Sequence, residues 1–261
     1  MKKVINIAVW VLFVIGVLLL LSFTYGKKKN RVCESVNYDI DLLSGNHFVT
    51  PARLDGILSK IGFKVGEDKF EDIDTKKLEK KLLGLSSVET VEVFKNMNGT
   101  LEIAVTQRKP VARVFNRSGY TLYLDDKGRA MQTSDFYTAR VLVVNGYVNL
   151  KAGETVEAIA ENDSLKGLTF IDELYEVATY IENDKFLKAQ IEQIYVEKNK
   201  EITLIPKVGN QEIIFGKVVD VDTKFKKLKL FYQEGINPTS LNLYKTINLK
   251  FNNQIVCKKN K

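Results

Sequence analysis

The chain has 261 residues, a formal net charge of +7 and an apolar content of 45%. This length fits one large or two small domains, and this composition can fill a core without metals or disulfides. The single histidine, His47, excludes a histidine-rich metal site, and the basic stretches lack the interleaved aromatic residues that stack on nucleic-acid bases. We therefore expect a globular protein that does not bind nucleic acid.

An uncharged run, residues 4–25, follows a short basic tail, residues 1–3. As a helix this run would be about 33 Å long, which is enough to cross the hydrocarbon core of a bilayer. It is too long for the apolar part of a cleaved signal peptide, and its end, SFTYG, offers no small-x-small cleavage site. The sequence therefore predicts an uncleaved single-pass membrane anchor.

The charges on the two sides of this anchor leave its orientation open. Lys2 and Lys3 precede it, and a larger basic cluster follows it between residues 27 and 31. Because the more basic side of an anchor usually stays in the cytoplasm, the count alone favours a cytoplasmic C-terminal part. Basic residues beside a membrane also contact lipid headgroups or, outside a cell, anionic polymers.

The segment after the anchor predicts one strand followed by two helices. VCESVNYDI alternates as a strand does. Thr50 is a good N-cap and Pro51 suits the first helical position, so a helix is expected to start there. Asp74 caps a second helix in the same way. The apolar stripes of the two helices are Leu54, Ile57, Leu58 and Ile61, and Leu78, Leu82 and Leu85.

The pattern then changes from a helical period to alternation. VETVEVFKN and TLEIAVTQR each place apolar residues at every second position, as half-buried strands do. The Asn98-Gly99 pair between them suits a tight hairpin turn that needs a positive φ. The predicted order is therefore β-α-α-β-β, with two helices on one face of a small sheet.

This order resembles a POTRA domain. The similar segments are FVTPARLDGILSKIGF and IDTKKLEKKLLGLSSVETVEVFKNMNGTLEIAVTQRKPVARVF. Within the second segment, QRKPVARV is similar to the passage where the POTRA domain ends and the next domain begins in the FtsQ/DivIB family. The resemblance covers most of the chain. It implies a POTRA domain at residues 32–108, a β domain at residues 109–257 and a basic tail at residues 258–261.

The stretch LYLDDKGRAM, residues 122–131, contains adjacent aspartates before a glycine. Asp125 and Asp126 can accept hydrogen bonds from nearby backbone amides, and Gly128 can take a positive φ, as a turn requires. A calcium loop would need acids at alternate positions and a downstream glutamate, which are missing. Paired catalytic carboxylates would need separated positions that converge on a pocket. The stretch is therefore predicted to be a turn.

The rest of the chain predicts further strands and two helices. SLKGLTFIDELYEVATYIEND is amphipathic, and DTKFKKLKLFYQEGI predicts a short helix with its lysines outward. The predicted inward residues are Leu168, Ile171, Leu174, Tyr175, Ala178 and Ile181, then Phe225, Leu228 and Phe231. The predicted strands are RVLVVNG, IEQIYVEKN, EITLIPKV, QEIIFGKV and one or two within YKTINLKFNNQIVCKK. The fold class is α+β: one transmembrane helix, a POTRA domain and a mixed β domain with flanking helices.

No catalytic motif stands out in the sequence. A P-loop, a GxGxxG after a strand and a GxSxG are all missing. Cys33 and Cys257 form neither a CxxC nor a zinc pattern, and their spacing leaves open whether they are bonded. We therefore expect no catalytic residues, metal, cofactor or small-molecule substrate. The two function classes are a membrane-anchored interaction scaffold and, as the alternative, an anchored extracytoplasmic envelope enzyme or binding module.

The resemblance favours the scaffold and implies its partners. FtsQ/DivIB proteins link early and late division proteins during septal wall synthesis, and their β domain holds FtsB and FtsL. A partner segment adds as a strand to the exposed edge formed by the last β-strand. LKFNNQ matches this edge strand, although Lys259 stands where a late aromatic residue is expected. The implied partner-binding residues are Lys227, Ile247, Leu249, Phe251, Asn252 and Asn253.

The resemblance also implies a location. The protein would be a single-pass protein of the bacterial inner membrane, with its C-terminal part in the periplasm and enriched at the division septum. Residues 1–3 would then be a short cytoplasmic tail. This orientation is opposite to the one that the charge count favours.

Overall fold

The computed structural model describes residues 10–19, 31–42, 45–149, 170–235 and 242–260. The chain divides into two compact units between Gln107 and Arg108. The two units have separate buried cores.

Residues 10–19 form a helix, α1, whose apolar side chains are mostly exposed. The predicted anchor spans residues 4–25, and its residues before 10 and after 19 lie outside the described part of the chain. Within the described part of the chain, no helix combines the length and the apolarity that crossing a membrane requires.

The first unit has the predicted β-α-α-β-β order, which confirms the order expected for a POTRA domain. Its elements are β1 (Ser35–Ile40), α2 (Pro51–Lys60), α3 (Thr75–Leu83), β2 (Val88–Lys95) and β3 (Thr100–Gln107). The three strands form a sheet in the order β1-β3-β2, in which β1 is parallel to β3 and β2 is antiparallel to it.

Local capping explains where the two helices of this unit begin. The hydroxyl of Thr50 accepts a hydrogen bond from the backbone N–H of Arg53 at 3.3 Å, and Pro51 is the first residue of α2. The carboxylate of Asp74 accepts from the N–H of Lys77 at 3.0 Å at the start of α3. Both caps are confirmed. The helices pack their buried leucines against alternate residues of the sheet: Leu54, Leu58, Leu78 and Leu82 against Val91, Val93, Leu101, Ile103 and Val105.

The β2–β3 hairpin closes in the predicted tight turn. Gly99 has a φ of +87°, and its N–H donates to the carbonyl of Asn96 at 3.1 Å. The side chain of Asn98 accepts from the N–H of Thr100 at 3.1 Å. Both residues of the Asn-Gly pair therefore have the roles expected of them.

The second unit is one mixed sheet in the order β12-β11-β10-β9-β8-β7-β4-β5-β6. Most neighbouring strands are antiparallel, but β7 is parallel to both β4 and β8, and β10 is parallel to β11. The strands are β4 (Pro110–Phe115), β5 (Thr121–Asp125), β6 (Ala130–Gln132), β7 (Leu142–Gly146), β8 (Ile191–Val196), β9 (Ile202–Pro206), β10 (Glu212–Gly216), β11 (Tyr244–Asn248) and β12 (Val256–Lys259).

Three helices pack with this sheet: α4 (Phe170–Asn183), α5 (Lys185–Gln190) and α6 (Val221–Leu230), which continues into a π-helical turn, Phe231–Gly235. The amphipathic pattern of α4 is confirmed, although Leu168 lies outside the described residues. Buried residues of α4 and α6 join alternate strand residues in one core: Ile171, Leu174, Val177, Ala178, Ile181, Phe225 and Leu228 with Ala112, Val114, Leu124, Val144, Ile194, Leu204, Ile213 and Phe215.

One lysine of α6 contradicts the prediction that all of them point outward. Lys224 is buried, and its amine donates to the carbonyl of Lys217 at 2.7 Å and lies 4.7 Å from the centre of the Phe215 ring. Burial lowers the pKa of this amine from its ordinary value. The carbonyl and the ring together replace part of the hydration that the ammonium group loses.

Candidate functional site

The sheet of the second unit ends at β12. This strand pairs antiparallel with β11, and β11 pairs parallel with β10 on its other side. Within the described part of the chain, no strand pairs with the outer side of β12. Such an edge offers backbone donors and acceptors to a further strand.

The outward-facing backbone groups of β12 follow from two hydrogen bonds. The N–H of Asn260 donates to the carbonyl of Leu243 at 2.8 Å, so Asn260 faces β11. On the other side of β11, the N–H of Leu249 donates to the carbonyl of Ile214 at 2.9 Å, so Leu249 faces β10 and the preceding residue, Asn248, faces β12. Because residues two positions apart in a strand face the same side, Lys258 faces β11 as Asn260 does. Cys257 and Lys259 therefore present their N–H and C=O groups to the outer edge.

The side chains of β12 are largely exposed and end in two consecutive lysines. Val256 is 43% exposed, and Lys258 and Lys259 are exposed as well. Cys257 is half-buried against the core, and burial raises the pKa of its thiol. Val256 and Lys258 lie on one face of the strand, and Cys257 and Lys259 on the other.

The predicted edge strand LKFNNQ is wrong as secondary structure. β11 ends at Asn248, and the following residues turn back toward β12. Asn253 has a φ of +59°, which belongs to a turn and not to a strand. Ile247 and Leu249 are 0% and 1% exposed, so their side chains belong to the core of the unit. The edge strand is β12 itself.

The other predicted site residues lie together around this turn. Phe251 is 45% exposed, and Asn252 and Asn253 beside it are exposed as well. The amine of Lys227, on α6, donates to the carbonyl of Phe251 at 2.7 Å and to that of Leu249 at 3.4 Å. The structure therefore brings Lys227 and Phe251 into contact, although they are far apart in the sequence.

A groove lies next to the β11–β12 turn. It has a volume of about 420 Å³ and runs between the end of α6 and residues 253–255. Leu230 and Phe231 supply apolar walls, and Glu234 and Lys227 supply the charges. Sequence reasoning missed this groove. The one sequence signal was Leu230, an apolar residue of α6 outside the predicted buried stripe, and it is exposed in the structure.

The paired aspartates form a turn, as predicted, but Asp125 has a further role. The N–H of Gly128 donates to the carbonyl of Asp125 at 3.0 Å, and Gly128 has a φ of +74°. The carboxylate of Asp125 is 0% exposed and accepts from Arg129 Nε at 2.8 Å. Arg108 approaches the same carboxylate at 3.7 Å. This is a structural ion pair that fastens the start of the unit to the turn.

Among the described residues, no group of three or more His, Cys, Asp or Glu side chains could hold a metal ion. Cys33 is a buried free thiol, and Cys257 is a free thiol as well.

Comparisons with known proteins agree with this division of the chain. A family model for the FtsQ/DivIB C-terminal related domain matches residues 109–258. A model for the POTRA-like domain matches residues 31–106. No curated protein matches the chain.

Proposed function

Because the chain belongs to the FtsQ/DivIB family, we propose that it is a non-enzymatic scaffold of the bacterial division machinery. It carries both domain types of that family, a POTRA-like domain and an FtsQ/DivIB C-terminal related domain. The observation that carries the proposal is the outer edge of β12, where the backbone groups of Cys257 and Lys259 face away from the sheet. Such an edge suits protein–protein contact more than catalysis.

The scaffold acts by accepting a strand from a partner. Backbone hydrogen bonds to β12 supply affinity, and side chains around the strand supply selectivity. The partners are FtsB-like and FtsL-like proteins, and the assembly links early and late division proteins during septal wall synthesis. Phe251, Asn252 and Asn253 extend the contact surface beside the strand. Lys227 pairs with an acidic group of the partner while it holds the turn.

The proposed location is the inner membrane, with residues 4–25 as a single-pass anchor and the C-terminal part in the periplasm at the division septum. A reporter that is active only outside the cytoplasm, fused after Lys261, tests this orientation. We expect it to be active. A matched fusion of a reporter that is active only in the cytoplasm should be silent. The reverse pattern would contradict the proposed topology.

Depletion of the protein tests the function itself. Loss of a division scaffold should give filamentous cells that elongate without dividing, and expression of the wild-type chain should restore division. The alternative, an anchored envelope enzyme or binding module, predicts normal division with altered envelope composition. Capture of membrane partners on the full-length protein should recover small single-pass division proteins. Normal division after complete depletion would reject the scaffold.

A further inference from the structure

The edge of β12 carries enough chemistry to characterise the strand that binds there. We infer that this strand contains two consecutive acidic residues next to two apolar residues, with the acids opposite Lys258 and Lys259. The inference rests on the proposed function, since it assumes that β12 accepts a strand. It adds the residue pattern that the partner must have.

The lysines near this edge differ from four other lysines of the second unit, which are paired with carboxylates. Lys188, Lys226, Lys229 and Lys250 each lie within salt-bridge distance of a carboxylate. Lys258, Lys259 and the nearby Lys245 on β11 form no ion pair with a described residue. Among the described residues, the edge therefore has a local excess of positive charge without a paired acid. A partner strand with carboxylates would complement this charge.

The two lysines of β12 face opposite sides of the strand, so one carboxylate cannot pair with both. A carboxylate opposite Lys258 must lie on the face that this lysine shares with Val256. A second carboxylate must lie opposite Lys259, on the face that this lysine shares with Cys257. Since these positions are adjacent along β12, the two acids are adjacent along the partner.

The other half of β12 selects apolar side chains. Val256 is an exposed apolar residue, and Cys257 is half-buried against the core. A charged residue directly opposite either of them would gain no partner. Apolar residues there would cover Val256 and extend the core beyond Cys257.

The order of the pattern depends on the direction of the added strand. An antiparallel partner would read acid, acid, apolar, apolar from its N-terminal side. A parallel partner would read apolar, apolar, acid, acid. The two directions therefore give mirror-image patterns that peptides can distinguish.

Edge lysines have another known role, which is to prevent sheets from aggregating through their edges. In that role Lys258 and Lys259 would weaken every added strand to a similar degree. The two explanations differ in selectivity. Lysines that only prevent aggregation would disfavour added strands in general, whereas a docking site favours acidic strands over neutral and basic ones.

Binding of labelled peptides to the full-length protein in detergent tests the inference. All peptides share one extended host sequence and differ only in four central residues. In two of the peptides these residues are acid-acid-apolar-apolar or apolar-apolar-acid-acid. In the other peptides, glutamine or lysine replaces both acids of each order. We expect one acidic peptide to bind roughly tenfold more tightly than its neutral version at low salt. Its advantage should shrink as the salt concentration rises.

Charge reversal of the protein provides the stricter test. Lys258→Glu together with Lys259→Glu should transfer the preference to the basic peptide. The matched control is Lys76→Glu together with Lys77→Glu, in the first turn of α3. It changes the net charge by the same amount, and helix N-termini accept acidic residues. This control should keep the wild-type preference for acid.

Proline at the outward position separates the inference from the proposed function. Lys259→Pro removes an outward N–H, whereas Lys259→Ala removes the same charge and keeps that N–H. Strand addition requires that Lys259→Pro binds the acidic peptide more weakly than Lys259→Ala does. Equal binding of acidic, neutral and basic peptides, with this proline effect intact, would overturn the inference alone. No proline effect, or no binding by any peptide, would overturn the strand addition on which both rest.

Discussion

Lys227 and Phe251 are joined by a hydrogen bond from the lysine amine to the phenylalanine backbone carbonyl, with a length of 2.7 Å. The bond connects α6 to the turn between β11 and β12. It uses the main chain of Phe251 and leaves the ring 45% exposed. One residue of this pair therefore shapes the turn, and the other presents an aromatic side chain on it.

Lys227→Met should loosen this turn. The substitution keeps the apolar stem but removes the donor to two carbonyls, and we expect the second unit to lose about 0.5 to 1.5 kcal/mol of unfolding free energy. Urea unfolding of the full-length protein, followed by circular dichroism, measures this loss. Lys226→Met is the control, because Lys226 makes an exposed pair with Asp222 and should change stability by less than about 0.5 kcal/mol. Equal losses in the two variants would contradict the role given to Lys227.

Phe251→Ala should weaken partner binding and leave stability unchanged. The backbone carbonyl that accepts from Lys227 is retained, and the ring is too exposed to be a core residue. An aromatic hot spot is worth about 2 kcal/mol, or roughly a thirtyfold loss of affinity. The matched control is Val208→Ala, which truncates another exposed apolar residue, between β9 and β10. A lower melting temperature with unchanged affinity would instead identify Phe251 as a packing residue.

Adjacent aspartates should respond differently to the same substitution. Asp125→Asn places an amide N–H₂ against the guanidinium of Arg129, and we expect a loss of about 2 to 4 kcal/mol. Asp126→Asn changes an exposed side chain, while the backbone bonds of this residue to Lys109 and Tyr175 remain, so its effect should be smaller than that of Asp125→Asn. Thermal unfolding of both variants checks the difference. Similar values would mean that the turn alone accounts for Asp125.

Acid should weaken the contact between Asp184 and Lys229. The hydrogen bond from Lys229, then that from the Leu187 N–H, lowers the pKa of Asp184 in the folded state. A depressed folded pKa stabilises the protein above the unfolded value of about 3.9, and this stabilisation is lost as pH falls through the folded pKa. Asp184→Asn keeps the N-cap of α5 but should flatten the loss of unfolding free energy between about pH 5 and pH 2.

Lys229→Met provides the matched test of this pH dependence. It should flatten the same part of the stability profile in part, because the Leu187 and Phe186 N–H groups still lower the pKa of Asp184, and the double variant should match Asp184→Asn. Additive flattening by the two single changes would show that Lys229 stabilises a carboxylate other than Asp184.

Local signals in the sequence were sufficient to predict most helices and their starts. Thr50 and Asp74 each form the predicted cap, and the alternation around Asn98-Gly99 gives the predicted hairpin. These features depend on residues a few positions apart, so the sequence contains all that is needed to find them.

Sheet order could not be predicted in the same way. β4 lies between β5 and β7, and β1 pairs parallel with β3 although two helices and β2 separate them in the chain. Alternation marks a strand but contains no information on which strand lies beside it. The partner of each strand is decided by packing over the whole unit.

The edge strand was misplaced for a related reason. Alternation continues past Asn248 into Leu249 and Phe251, so the pattern alone extends the strand too far. In the structure a turn follows instead. Asn253 has a positive φ there, and the amine of Lys227, which lies on α6, donates a hydrogen bond to the Phe251 carbonyl. The burial of Lys224 could not be predicted from the local pattern either, because it depends on Phe215 and the Lys217 carbonyl.

The interior position of β4 has a mechanical consequence. A pull on the chain at Arg108, along the direction of β4, loads the β4–β5 and β4–β7 ladders in shear, so their hydrogen bonds must break together. β12 has one ladder with a described strand, and a pull at its end directed across the sheet can open that ladder one bond at a time. A partner strand on its outer side adds a second ladder. We therefore expect the unit to resist tension where the chain enters it, and we expect the proposed partner strand to strengthen its β12 edge.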